Sequence, residues 1–186
     1  ELKGAKENLE LKKQFSEPFI VYIGNFYPHK NVEMLIQTFK MIDKKYNLVL
    51  VGPQDFFSEH VARVIKEREV SDRVSFFYNA TLSDLVFFYK NAQALIHPSL
   101  SEGFGLTPIE AMYFGCPVVA YDIEVFKETL RDSYFSFDPK DETSMLNAIR
   151  KVISAKRTET KKLTSAFSFD QMANETVDVY KKVSSI

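Results

Sequence analysis

The stretch 19-FIVYIGNFYPHKNVEMLIQTFKMIDKKYNLVLV-51 holds two short apolar runs with a helical pattern between them. Both runs, 19-FIVYI-23 and 48-LVLV-51, are apolar throughout, which is typical of strands that are buried on both faces of a parallel sheet. Apolar residues between them recur at the spacing of an amphipathic helix, namely Val32, Leu35, Ile36, Phe39 and Ile42. The stretch therefore predicts a strand, a helix and a second strand parallel to the first.

The same alternation of apolar runs and helical patterns continues along the chain. Further apolar runs are 74-VSFF-77, 94-ALIH-97, 117-PVVAY-121 and 134-YFSF-137. Helical patterns cover residues 58–69, 82–90, 107–114, 123–130 and 141–154, and a last one runs from about Phe169 to Val183. Strict alternation predicts an α/β fold, in which a doubly wound parallel sheet of about six strands carries helices on both faces.

The chain divides into three parts by composition. Residues 1–16 are highly charged and lack an apolar face, which predicts an arm or linker. Residues 17–155 carry the alternating pattern and predict one α/β domain. Residues 156–186 begin with a polar linker and end in the last helical pattern.

Composition excludes several classes of function. The 24 Lys and Arg residues against 25 Asp and Glu give a net charge of -1, so the chain as a whole does not attract nucleic acid or an anionic membrane. No apolar run approaches the roughly 20 residues that span a bilayer, so we expect a cytoplasmic protein without a transmembrane segment. The single cysteine, Cys116, excludes an intrachain disulfide, and its apolar neighbours predict a buried thiol.

The residues that follow each strand are the candidates for function, because ligands of open parallel α/β sheets bind beyond the carboxyl ends of the strands. The first strand is followed by 24-GNFYPHKN-31, in which Gly24 permits a close backbone approach and Lys30 stands at the start of a helix. A cation at that place opposes the helix dipole. Lys30 therefore either binds an anion or is a solvated lysine whose aliphatic stem covers apolar surface.

The fourth strand is followed by 97-HPSLSEGFGLTPIE-110, in which glycines free the backbone before a helix. The pattern predicts Thr107 as the N-cap and Pro108 as the first helical residue, and the unpaired amides there form an anion site. Thr107 and Glu110 also have the spacing of a capping box, which gives Glu110 a structural explanation. Glu102 has no comparable local explanation.

Two glutamates around an anion site restrict the kind of ligand. A carboxylate repels a phosphate but accepts hydrogen bonds from hydroxyls. A nucleotide-sugar, with phosphates in the middle and hydroxyl-rich rings on both sides, suits that arrangement. His97 has two open interpretations, a histidine satisfied in the core or one that lines the pocket. The three histidines lie far apart without metal-ligand spacing, so we expect no metal site.

The run 97-HPSLSEGFGLTPIEAMYFGCPVVA-120 resembles the donor-binding signature of the retaining GT-B glycosyltransferases, the glycosyl transferases group 1 family. In that signature two glutamates are separated by seven residues, as Glu102 and Glu110 are here. Further resemblance follows in the same order along the chain, at 21-VYIGNFYPHKNVEMLIQTF-39, 48-LVLVG-52, 70-VSDRVSFF-77 and 119-VAYDIEVFKETL-130. The resemblance implies a Rossmann-like nucleotide-sugar-binding domain, the C-terminal half of a GT-B fold. The acceptor site would lie in an N-terminal half, to which the final helix would cross back.

The resemblance also implies roles for individual residues. Glu110 would bind the ribose, Glu102 would contact hydroxyls of the donor sugar, and Lys30 would neutralise the leaving diphosphate, which makes Lys30 and Glu102 the implied catalytic residues. Loop amides would hold the diphosphate close to Thr107, namely those of Gly103, Phe104, Gly105 and Leu106. The other implied donor-binding positions are Gly24 and Asn25 after the first strand and, around the base, Val51, Gly52, Tyr78 and Asn79.

The chain departs from the family pattern at two places. Many relatives carry an arginine where this chain has Asn25, so Lys30 would act with the helix N-terminus alone. The turn after the fifth strand has Ile123 and Glu124, where a Pro or Gly pair is common.

The implied reaction is transfer of a hexose from a GDP- or UDP-linked sugar to a saccharide or lipid-linked acceptor, with mannose as the specific expectation. The resemblance implies no metal or other cofactor and no nucleic-acid partner. Any peripheral membrane contact would lie in the N-terminal half, and the chain by itself is expected to be inactive. Two alternatives remain, a nucleotide-sugar epimerase of GT-B architecture and a non-catalytic nucleotide-sugar-binding module.

Overall fold

The computed structural model of the chain describes residues 2–138, 140–155 and 168–184. Within these residues the strands are β1 Phe19–Ile23, β2 Asn47–Gly52, β3 Val74–Tyr78, β4 Leu95–His97, β5 Val118–Tyr121 and β6 Phe135–Phe137. The α-helices are α1 Leu11–Gln14, α2 Val32–Phe39, α3 Phe56–Glu67, α4 Leu82–Asn91, α5 Leu106–Tyr113, α6 Glu124–Thr129, α7 Glu142–Ser154 and α8 Phe169–Ser184. Every predicted strand and helix is therefore present.

The strands form one parallel sheet in the order β3-β2-β1-β4-β5-β6. The chain starts in the middle of the sheet, builds outward to β3, and then crosses back to place β4 on the other side of β1. The carboxyl ends of β1 and β4 therefore meet at the point where the strand order reverses, which is where ligands of such sheets bind. The predicted Rossmann-like doubly wound parallel sheet is confirmed.

Helices cover both faces of the sheet. Along β1, Ile20 and Tyr22 pack into one buried cluster with α2, α3 and α7, whereas Val21 and Ile23 pack into a second cluster with α4, α5 and α6. Because both sets are almost fully buried, the strand is apolar at every position. A sheet with two buried faces leaves only its edges and strand ends to carry polar chemistry.

The charged segment at residues 2–16 lies against α4. Leu11 is buried, the amide of Asn8 donates to Oδ1 of Asp84 at 2.8 Å, and the amide of Asn91 donates to Oε1 of Glu7 at 2.8 Å. Burial acts to raise the pKa of Asp84, but hydrogen bonds from Asn8 and from Thr81, the N-cap of α4, outweigh it and lower that pKa. The segment predicted as an arm is thus docked on the domain through polar contacts and through apolar ones, with Leu11 in the second buried cluster and Phe15 packed against it.

The described side chains of α8 are exposed, including the apolar ones at Met172, Val177, Val179, Tyr180 and Val183. The predicted polar linker before it lies, in its residues 156–167, outside the described residues. None of the described helices is both long enough and apolar enough to cross a membrane. Cys116 is buried, as predicted.

Candidate functional site

The candidate site lies at the carboxyl ends of β1 and β4, where two loops are joined by backbone hydrogen bonds. The amide of Leu100 donates to the carbonyl of His29 at 2.8 Å, and the hydroxyl of Ser99 donates to the same carbonyl at 3.4 Å. The first loop contains the 3₁₀ turn Pro28–Lys30, and the second contains Glu102. The turn therefore carries Lys30 directly over the loop that carries the glutamate.

Lys30, His97 and Glu102 form one cluster between these loops. Nζ of Lys30 donates to Oε1 of Glu102 at 2.6 Å, and Nε2 of His97 lies 2.7 Å from the same oxygen. The side chains of Lys30 and Glu102 are each 13% exposed, and that of His97 is 4% exposed. Of the two interpretations of Lys30, the solvated lysine is thus wrong, because the ammonium is paired and largely buried.

The cluster fixes the charge of its members. Burial acts to raise the pKa of Glu102, but hydrogen bonds from His97 and Lys30 outweigh it and lower the pKa to about 2. Burial lowers the pKa of His97 more than the bond with Glu102 raises it. At neutral pH the imidazole is therefore neutral and donates through Nε2, while the buried Nδ1 has no hydrogen-bond partner among the described residues. His97 thus belongs to the core and to the site at once.

The start of α5 differs from the prediction. The N-cap is Gly105, with φ +80° and ψ +53°, so the helix begins at Leu106 and Thr107 is its second residue instead of its cap. Pro108 follows in the first turn, where it is tolerated because the amides of that turn have no partner within the helix. The correction has a steric reason: a Cβ at Gly105 would lie 2.5 Å from Cε1 of Phe126, so only glycine ends the loop at this place.

A glycine cap leaves the helix start open to a ligand. Gly105 has no side chain with which to satisfy the first amides of α5, and no side-chain cap bond is present at this helix. The neighbouring side chains of Phe104 and Leu106 are 42% and 53% exposed, so they do not close over the loop. The amides of Leu106 and Thr107 therefore have no partner within the helix, so the anion site stays a prediction, while Gly105 replaces Thr107 as the cap.

Glu110 does not form a capping box, because it is the fifth residue of α5 and the cap has no side chain. Its Oε2 accepts a hydrogen bond of 2.9 Å from the hydroxyl of Tyr89, which is fully buried on α4. Burial raises the pKa of Glu110, and the hydrogen bond from Tyr89 opposes that rise. The structural explanation of Glu110 from spacing alone is thus wrong, and its carboxylate is tied to the core instead.

Other predicted donor-binding residues line the ends of β1 and β2. The amide of Gly24 donates to the carbonyl of Val51 at 2.9 Å, and a Cβ at Gly52 would lie 2.2 Å from the carbonyl oxygen of Gly24. The carbonyl of Asn25 accepts a hydrogen bond from the hydroxyl of Tyr22. These contacts bring the two strand ends into backbone contact and leave no room for a side chain at Gly52.

Tyr78 and Asn79 lie farther from the glutamates. They stand at the end of β3, three strands from β4, which the usual strand spacing sets at about 14 Å. The ring of Tyr78 stacks on Phe76, and Asn79 has φ +56°. Within the part of the chain that the structure describes, neither residue is hydrogen-bonded to a glutamate.

Two tyrosines of the site had no signal in the sequence. Tyr89 falls in the apolar helix 82–90 and Tyr22 in the first strand, so periodicity predicts both as core residues. Both are indeed buried, but each hydroxyl contacts a candidate residue, Asn25 for Tyr22 and Glu110 for Tyr89. The contact of Tyr89 joins two helices, which no local spacing encodes, whereas that of Tyr22 reaches the loop three residues further along the chain.

Comparison with known proteins bears on the family and the fold of the chain. The sequence profile of the family described as Glycosyl transferases group 1 matches residues 6–166. The chain belongs to the glycosyl transferases group 1 family. Among curated relatives in this family, it is 33% identical over 142 residues to the O-antigen chain mannosyltransferase RfbU of Salmonella typhimurium, an alignment that covers 76% of the chain.

Solved structures show the same fold in other proteins. Sucrose-phosphate synthase from Thermosynechococcus elongatus superposes with a TM-score of 0.84 and 25% identity, over 99% of this chain and 51% of that one. Anabaena Alr3699/HepE in complex with UDP and glucose superposes with a TM-score of 0.80 and 18% identity, over 100% of this chain and 55% of that one. The chain spans 40% of the length of RfbU and about half of each of these structures.

Proposed function

We propose that this chain is the donor-binding half of a retaining glycosyltransferase, which moves a hexose from a nucleoside diphosphate sugar to a saccharide or lipid-linked acceptor. The observation that carries the proposal is the open start of α5, an anion site flanked by two held carboxylates and by Lys30. Phosphates suit the amides and the ammonium, and hydroxyl-bearing rings suit Glu102 and Glu110. A nucleotide-sugar carries phosphates in the middle and a hydroxyl-bearing ring on each side.

Lys30 would act on the diphosphate while it is still bound to Glu102. An ammonium has three donors, and one of them is engaged with Oε1 of Glu102, so the others remain for phosphate oxygens. In the transfer, the bond between the anomeric carbon and the phosphate oxygen breaks and its electron pair stays on the diphosphate. Lys30 and the loop amides would stabilise that charge. The acceptor hydroxyl then bonds to the anomeric carbon from the same face, and its proton passes to the oxygen of the leaving diphosphate.

The proposed sugar is mannose, supplied as GDP-mannose. The support comes from relatives, since RfbU and O-antigen chain mannosyltransferase B of Escherichia coli are both mannosyltransferases by name. Alr3699/HepE, in contrast, was solved with UDP and glucose. Titration with GDP, UDP and ADP therefore decides the base.

Isothermal titration of the chain with GDP, UDP and ADP tests donor recognition. One nucleotide should bind, and Lys30→Ala should weaken it about ten- to a hundredfold, because a charge-assisted bond to the diphosphate is lost. The matched control is Lys40→Ala at the other end of α2, where the lysine forms an exposed pair with Glu69 at 3.5 Å. Absence of binding for all nucleotides, or equal losses in both variants, would contradict the proposal.

A second candidate, a nucleotide-sugar-binding module without transfer, is favoured by Asn25 and by the pairing of Lys30 with Glu102, since both reduce the free positive charge at the diphosphate. The full-length protein separates the two functions. If the full-length protein transfers sugar and Glu102→Ala abolishes the transfer, the result supports the enzyme. Nucleotide binding without turnover supports the module.

A further inference from the structure

Tyr89 lies on α4 with its ring fully buried, and its hydroxyl reaches Glu110 on the neighbouring α5. The hydrogen bond to Oε2 of Glu110 is 2.9 Å long and joins residues that are 21 positions apart in the sequence. The ring of Tyr89 also stacks on that of Phe114, with centroids 5.9 Å apart and planes within 7°. Because Phe114 directly follows α5, the tyrosine packs against the helix whose carboxylate it holds.

A buried tyrosine is a rigid anchor for a carboxylate. Its ring has no room to move within a packed core, so the hydroxyl keeps one place. Burial raises the pKa of Glu110 and the bond from Tyr89 opposes that rise, so the tyrosine favours the ionised form, which only accepts hydrogen bonds. Burial and the charge of Glu110 raise the pKa of Tyr89 well above its usual value, so the phenol remains a donor.

We propose that Tyr89 is a positioning residue that holds Glu110 by Oε2, so that the rest of the carboxylate accepts hydrogen bonds from the ribose hydroxyls of a nucleoside diphosphate. In this role Tyr89 sets the preference of the site for a sugar that carries those hydroxyls. The inference rests on the proposed function, in which Glu110 is the ribose ligand. A held carboxylate discriminates, because a nucleotide without the hydroxyls gives no donor to the other oxygen of this partly buried carboxylate. A carboxylate that is free to turn toward water discriminates less.

The test is Tyr89→Phe, which removes one oxygen and keeps the ring. Calorimetry compares GDP, UDP and ADP with their 2′,3′-dideoxy counterparts in the wild-type chain and in the variant. We expect the affinity for the ribonucleotide to fall about five- to tenfold and that for the dideoxy nucleotide to change by less than about twofold. Equal losses for both nucleotides, as a merely structural role would give, overturn the inference, and so do unchanged affinities.

The matched control is Tyr134→Phe, because the hydroxyl of Tyr134 also donates to a carboxylate, Oδ1 of Asp122, at 3.0 Å. This variant should keep the wild-type ratio between the two nucleotides. Glu110→Asp draws the carboxylate away from Tyr89 without touching the core, and it should reduce the ratio even if Tyr89→Phe does not fold. In the variant with both Tyr89→Phe and Glu110→Gln, additive losses would overturn the inference, since a residue that acts through Glu110 has no effect without it.

Titration of the Glu110 carboxyl by NMR separates this inference from the proposed function, because it needs no nucleotide. Loss of the phenol in Tyr89→Phe should move the titration of Glu110 to higher pH. An unchanged titration overturns the inference even if nucleotides bind. Failure of every nucleotide to bind the wild-type chain overturns the proposed function, and the role of Tyr89 toward ribose with it, whereas an upward shift would still establish the hold of Tyr89 on Glu110.

Discussion

Glu102 and Glu110 stand on either side of the start of α5, yet their environments have opposite electrostatic effects. Burial acts to raise the pKa of both carboxyls. At Glu102, hydrogen bonds from His97 and Lys30 outweigh burial and lower the pKa to about 2. At Glu110 the partner is the neutral phenol of Tyr89, burial prevails, and the pKa is raised. Glu102 has two donors, one of them charged, whereas Glu110 has one neutral donor, and this difference decides which carboxylate is stabilised as an ion.

The difference bears on what each glutamate does in an empty site. The charge of Glu102 is already compensated, so a ligand that approaches it competes with Lys30 and His97. Burial disfavours the charged form of Glu110, and hydroxyl donors from a ligand would stabilise that form. We infer that Glu102 is the preformed member of the pair and Glu110 is the member that gains most from a bound ligand.

The largest effect is expected at Gly105, which lies between the two glutamates. Gly105→Ala places a side chain at φ +80° and 2.5 Å from Cε1 of Phe126. The left-handed backbone and the clash together should lower the free energy of unfolding by about 3 kcal/mol. Urea denaturation followed by circular dichroism measures the loss. The start of α5, which lies between Glu102 and Glu110, should shift in this variant.

Gly103→Ala is the matched control, since nothing lies within 4 Å of a Cβ at Gly103 and its φ is not in the left-handed region. Its unfolding free energy should stay within about 0.5 kcal/mol of the wild-type value. If Gly105→Ala is as stable as Gly103→Ala, the glycine cap does not define the start of α5.

A smaller effect is expected from Glu102→Gln, which keeps the shape but removes the charge. Lys30 is then a largely buried ammonium without an anion, which should lower the free energy of unfolding by about 2 kcal/mol at neutral pH. The folded-state pKa is depressed, so the wild-type contribution is present above pH 4.5 and is lost as the pH falls toward about 2. The two stability curves should therefore converge in acid.

Glu33→Gln is the control for this experiment, because Glu33 forms an exposed pair with His60 at 2.8 Å. Exposed pairs contribute little, so its stability curve should lie within about 0.5 kcal/mol of the wild-type curve at neutral pH. Stability curves of Glu102→Gln and wild type that run parallel down to acid pH would show that Lys30 and His97 do not hold Glu102 as an ion.

The fold followed from the sequence because its signals are local and redundant. The apolar run 19-FIVYI-23 and the periodic apolar residues of α2 each predict one element, and six repetitions of that alternation leave few topologies. The docking of residues 2–16 did not follow, because it rests on contacts with other elements, polar ones at Glu7 and Asn8 and apolar ones at Leu11 and Phe15.

The site followed only in part. The spacing predicts Lys30 after the first strand and Glu102 with the glycine loop after the fourth, and only the strand order of the structure makes those two strand ends neighbours. Thr107 followed by Pro108 predicts a cap at Thr107, whereas the clash that requires Gly105 comes from Phe126 in another element. Tyr89 was invisible as a partner of Glu110 for the same reason: contacts between elements are encoded in the fold and not in any short stretch.

The smallest expected effect is a gain in stability, opposite in sign to the loss expected for Glu102→Gln. Glu110→Gln should raise the free energy of unfolding of the empty chain by about 0.5 kcal/mol at neutral pH. The folded-state pKa of Glu110 is raised, so its contribution to stability is present below pH 4.5 and lost as the pH rises through the folded value, whereas glutamine stays neutral. The advantage should vanish in acid and nucleotide affinity should fall. A destabilised Glu110→Gln would mean that the charge of Glu110 stabilises the empty chain, as that of Glu102 does.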